Sequence, residues 1–180
     1  MKRKIVTLAM MVFASYFGFA QDSGTASHTL SVTVPEVAIL DLESPGTTAI
    51  ALSFTAPTEA GMGVEGSSNS DLWLNYSSIK STVNPTRTVN VQMSKIIPGA
   101  DIKVAAAAHA GTGEGAVGTP AGELTLTTSA QTLVNGIGSC YTGDGVSNGH
   151  NLTYSLVVGS DYSALEKTNE PVTITYTISN

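Results

Sequence analysis

From Leu30 to Ile178 the chain returns again and again to one pattern, an apolar residue at every second position. The final run is the clearest: Val172, Ile174, Tyr176 and Ile178 alternate with Thr173, Thr175, Thr177 and Ser179. A period of two is that of a β-strand with one buried face, whereas a helix would repeat every 3.6 residues. A first strand over His28 to Val34 opens the series, with Leu30, Val32 and Val34 spaced by Ser31 and Thr33. Between the two ends lie Ile50-Leu52-Phe54, Leu72-Leu74-Tyr76, Val89-Val91-Met93, Ile102-Val104, Leu124-Leu126 and Leu152-Tyr154-Leu156-Val158. These runs predict eight strands, with a ninth at Val37 to Leu42 after Pro35, and their β-branched and threonine filling suits strands better than helices.

Glycine and proline punctuate the runs at Pro45-Gly46, Pro57, Pro98-Gly99, Pro120 and Gly122. Three Gly-rich segments read as longer loops: Ala60 to Ser70, Gly111 to Gly122, and Gly136 to Gly149, the last carrying Cys140, Tyr141 and Asp144. Ala105 to Ala108 is too short to sustain a helix of its own and reads as a strand end. Tyr162 to Lys167 has room for one helical turn. No fixed repeat is present, which disfavours propellers and β-helices. The expected fold is all-β, an antiparallel Ig-like or jelly-roll-like β-sandwich of about eight strands, with a closed lipocalin-like barrel as the alternative.

The first twenty residues differ in kind. Lys2, Arg3 and Lys4 precede an apolar run from Ile5 to Phe19, and small residues stand at Gly18 and Ala20. A basic start, a short apolar middle and a small-x-small exit make a secretory signal, and the run falls short of the ~20 residues of a spanning helix. Residues 1–20 are therefore expected to be a signal peptide, and 21–180 a single domain released into the periplasm, onto the cell surface or outside the cell, with no membrane insertion after cleavage. Without the signal, five basic residues face fourteen acidic ones, a formal charge of −9. Such a surface repels phosphate backbones and anionic lipids, so nucleic acid is not an expected partner.

Few residues suggest chemistry. Cys140 is the only cysteine, so no internal disulfide is available; it reads as a small buried hydrophobe, with pairing between chains as the alternative. His28, His109, His150 and Cys140 lack zinc-ligand spacing. Asp144-Gly145-Val146-Ser147-Asn148-Gly149 resembles the start of a calcium loop, yet Val146 and Ser155 occupy the third and twelfth positions, where ligands are needed. No nucleophile elbow is present, and Cys140 with His150 is a pairing that chance supplies. Neither catalytic nor metal residues are assigned, and no cofactor is expected.

Trp73 is the exception. In Leu72-Trp73-Leu74-Asn75-Tyr76, leucines facing the core would turn Trp73 and Asn75 outward, an aromatic plate beside an amide of the kind used for sugars. The alternative is that a loop covers them. The outward threonines at 173, 175 and 177 lack the coil repeat that an ice-binding array requires.

Ser31-Val32-Thr33-Val34-Pro35, Leu72-Trp73-Leu74-Asn75-Tyr76 and Val172-Thr173-Ile174-Thr175-Tyr176-Thr177-Ile178 together resemble small exported β-sandwich proteins of Bacteroidota. They are also loosely similar to spore-coat-U and fimbrial-subunit type secreted domains. That resemblance implies a structural role at the cell surface or in an appendage, with the chain meeting itself or other surface proteins by strand addition. The expected function is a secreted, non-enzymatic structural or adhesive protein; a small carbohydrate- or ligand-binding module built on Trp73 and Asn75 is the alternative, and an unrecognised secreted enzyme comes last.

Overall fold

The alternating runs become strands because each buries one apolar face while its backbone pairs with a neighbour. The computed structural model describes residues 24–180, and the signal peptide expected over residues 1–20 lies outside them. Among the described residues eight strands run six residues or more: β1 (Val37–Glu43), β4 (Ser68–Ile79), β5 (Arg87–Met93), β6 (Ala100–Ala106), β7 (Glu114–Pro120), β9 (Gln131–Tyr141), β10 (His150–Val158) and β11 (Ile174–Ser179). Three two-residue strands, β2 (Phe54–Thr55), β3 (Glu65–Gly66) and β8 (Leu124–Thr125), complete the set. The helical element among these residues is a single 3-10 turn, Tyr162–Ala164, whose N-cap Asp161 accepts from the Ser163 amide.

The fold is an all-β sandwich. Every strand pair is antiparallel, in the order β11-β5-β9-β4-β10-β6-β8, with β1 on the free edge of β4 and β7 on β9. β4 and β9 meet only at Ser77↔Tyr141 and Ser78↔Cys140. Around that hinge the strands divide into two layers, β1-β4-β10-β6-β8 and β11-β5-β9-β7. β2 and β3 pair separately.

The inward positions of β4, Leu72, Leu74 and Tyr76, meet those of β10, Leu152, Tyr154 and Leu156, and of β5, Val89, Val91 and Met93. Leu74, Val89, Val91, Val104, Leu133, Ile137 and Leu152 have no exposed surface. Burying each such side chain is worth about 1.5–3 kcal/mol, so stability comes from aliphatic packing.

Four expectations need correction. The strand predicted over His28 to Val34 does not form: residues 24–36 belong to no strand, and the series begins at β1. Of Ile50-Leu52-Phe54 only Phe54 enters a strand, while Ile50 and Leu52 pack on the core from an irregular segment. The segments read as loops over 111–122 and 136–149 contain β7 and the second half of β9. Bulges hid β9, because the β5–β9 register shifts between Val89 and Asn90 and again between Arg87 and Val89. Leu133 and Val134 are consequently both buried, and the period of two breaks. β7 was hidden by glycines that it needs. A Cβ on Gly118 would stand 2.6 Å from the Asn135 carbonyl oxygen.

Candidate functional site

β4 places Trp73, Asn75 and Ser77 on the outer face of its layer and Leu72, Leu74 and Tyr76 on the inner one. The expected face is right, yet the two residues of interest have different surroundings. Trp73 is half-buried, between Glu43 of β1 and Asn151 of β10. Asn75 is 5% exposed and therefore not an open amide beside the indole. Its Nδ2 donates to the Gly145 carbonyl at 3.0 Å, which places it beneath the loop joining β9 to β10. The Oδ1 of Asn75 has no hydrogen-bond partner.

That loop is held from several directions. Asn148 Nδ2 donates to the Asp144 carbonyl at 2.7 Å, and Asn148 Oδ1 accepts from the Thr112 amide at 3.1 Å. These bonds brace the turn from Asp144 to Gly149. Among the described residues no group of three or more His, Cys, Asp or Glu is placed to hold a metal ion.

Beside the loop lies a surface groove of about 530 Å³. Its floor is a row across three strands, Ile39 of β1, Ser77 of β4 and Tyr141 of β9, directly opposite one another in register. The next row contributes Asp41 and Asn75, and the loop closes one end with Gly143 and Asp144. Ile39 is 63% and Tyr141 47% exposed. Sequence reasoning missed this site because it placed Tyr141 in a loop; the alternation of Ser139 and Tyr141 with Gly138 and Cys140 was the signal for a strand.

A second opening runs between the two layers. This cleft, about 540 Å³, is walled by Leu42, Leu52, Ile102, Leu156, Val172 and Ile174. Tyr154 and Tyr176 also line it and join their hydroxyls by a hydrogen bond from β10 to β11. Burial raises both tyrosines, Tyr154 to about 12.

The inner face of β4 supports a polar network. His150, fully buried, directs Nδ1 to the Ala107 carbonyl at 2.8 Å and Nε2 to the Tyr76 hydroxyl at 2.7 Å. The Tyr76 hydroxyl also donates to the Val117 carbonyl. Cys140 is free and buried, and burial pushes its thiol up, away from the thiolate that a nucleophile needs. His28 lies in the N-terminal segment outside every strand, while His109 and His150 stand edge to face at 6.0 Å.

Outside the sandwich strands, the segment with the Leu30-Val32-Val34 alternation carries its apolar side chains in solvent, at 77, 77 and 68% exposure. Comparison with protein families, with curated proteins and with solved structures found no match to this chain.

Proposed function

We propose that the protein is a secreted, non-enzymatic structural or adhesive component of the cell surface or of a surface appendage, joined to itself or to other surface proteins by strand addition. The observation that carries this reading is the segment His28 to Val34. It has the alternation of a half-buried strand, yet belongs to no strand and exposes Leu30, Val32 and Val34. A strand-like sequence without a sheet of its own is suited to pairing with the sheet of another molecule. Backbone hydrogen bonds then supply affinity, and alternate side chains in apolar pockets supply register.

The open cleft supports the same reading, since its aliphatic walls match the side chains the segment offers. The basic, apolar and small-residue order of the first twenty residues supports export. A free buried cysteine with a raised pKa and the lack of a nucleophile elbow favour a non-enzymatic role.

Light scattering of the chain from Gln21, compared with a chain from Pro35, tests the proposal. The longer chain should gain mass with concentration and the shorter one stay monomeric. A peptide of residues 24–36 should bind the shorter chain, and its Val32→Asp version should not. A monomeric longer chain together with a peptide that fails to bind would overturn the reading.

A further inference from the structure

We infer that the groove formed by β1, β4 and β9 binds a neutral pyranose saccharide, with Tyr141 as its stacking surface. The inference is independent of strand addition, which uses other residues.

A pyranose presents an apolar C–H face and an edge of hydroxyls, so its site needs an accessible ring beside convergent polar groups. Tyr141 supplies the ring, and Ile39, two strands away in the same row, adds an apolar side chain beyond the Ser77 hydroxyl. Asp41 and Asp144 are exposed at the margins of the same groove. Asp41 Oδ1 already accepts the Leu42 amide at 2.7 Å, which orients the carboxylate and leaves Oδ2 for a ligand. Asn75 lines the groove from beneath the loop, where its Nδ2 is held by the Gly145 carbonyl. The groove volume of about 530 Å³ lies within the range of small-molecule sites.

The two carboxylates, Asp41 and Asp144, are acceptors that suit hydroxyl donors, and the Ser77 and Tyr141 hydroxyls can both donate and accept. Among the described residues no Lys, Arg or His lines the groove, while two carboxylates do. Uronates and sulfated sugars are therefore repelled, and the ligand class is neutral. The wall is preorganised, because Asn75 and Asn148 pin the loop carrying Gly143 and Asp144 to β4 and to Thr112. Fixing that loop in advance lowers the entropic cost of binding. The sugar reading thus moves from Trp73, which does not line the groove, to Tyr141.

Calorimetric titration of the chain from Gln21 with cellotetraose, mannotetraose and galactotetraose, and with tetragalacturonate as the anionic counterpart, provides the test. At least one neutral sugar should bind at millimolar concentration, and tetragalacturonate should not. Tyr141→Ala should weaken that binding about tenfold or more, while Tyr141→Phe retains it. Amide shifts in a two-dimensional NMR spectrum should gather on Ile39, Ser77 and Tyr141. An unchanged melting curve for Tyr141→Ala would show that lost binding is not lost folding; should that variant melt early, the NMR map on the unmodified chain decides. Absence of binding by all three neutral sugars, preference for the uronate, undiminished binding by Tyr141→Ala, or shifts gathered elsewhere would each overturn the inference.

Discussion

His150 Nε2 lies 2.7 Å from the Tyr76 hydroxyl, and the two rings stack with centroids 5.7 Å apart in the buried layer of the sandwich. The pair ties three strands together, because Tyr76 belongs to β4, His150 to β10, and the Val117 carbonyl that accepts from Tyr76 to β7. A carbonyl can only accept, so the proton facing Ala107 sits on Nδ1. In neutral His150 the single Tyr76 proton must then serve both Nε2 and the Val117 carbonyl.

Burial holds the His150 pKa below its ordinary value; hydrogen bonding to Ala107 and Val117 opposes that shift, and His109 adds to it. The hydrogen-bond partner of His150, Tyr76, whose own pKa burial raises, is neutral near pH 7. The unfolded chain therefore binds a proton at this position before the folded one does. Its contribution to stability is complete above the unfolded value of about 6.5 and is lost as pH falls through it toward the folded pKa. Urea midpoints should fall between pH 7.5 and 5.5, and His150→Gln should flatten that slope. A midpoint in the unmodified chain that is level or rising toward acid would refute the assignment.

The hydroxyl bond between Tyr154 and Tyr176 joins the two layers at the cleft. Replacing either by Phe leaves the other hydroxyl without its partner, at a cost of about 1–3 kcal/mol. The double replacement removes both polar groups together and should cost clearly less than the two singles summed. Urea unfolding followed by the emission of Trp73, the only tryptophan, provides the measurement. Strict additivity would mean that the bond carries no coupling.

Two glycines separate backbone strain from steric collision. Gly136, at φ +68°, has open space where a Cβ would stand, so Gly136→Ala should cost only the left-handed penalty of about 1–2 kcal/mol. Gly115, at φ +92°, would set its Cβ 2.3 Å from the Ser139 carbonyl oxygen. Gly115→Ala must push β7 away from β9 and should exceed the first by more than about 1 kcal/mol. It should also speed the reaction of Cys140 with a thiol reagent, since Gly115 pairs with Cys140 across these strands. Equal destabilisation by the two substitutions would show that the close approach is not what demands glycine.

Much of the fold was legible because alternation is local. β5, β6, β10 and β11 fall on the runs that begin at Val89, Ile102, Leu152 and Val172, and the core is the inward half of those runs. β7 and β9 were not legible, since bulges put Leu133 and Val134 on one face and Gly115 and Gly118 take backbone angles that a strand rarely uses. At the site, the outward face of Trp73 and Asn75 could be read from the chain. The cover over Asn75 could not, because it comes from Gly145, seventy residues away.

The sequence by itself determined which side of each regular strand is apolar, because successive side chains of an extended backbone point to opposite faces wherever the strand lies. Only the tertiary structure decided that His28 to Val34 joins no strand, that Asn75 lies under a loop, and that Ile39, Ser77 and Tyr141 share one row. The reason is that a strand's hydrogen bonds are made to residues distant in the chain: Ser77 and Tyr141 are neighbours through pairing alone, and a period of two records a face to be covered without recording what covers it.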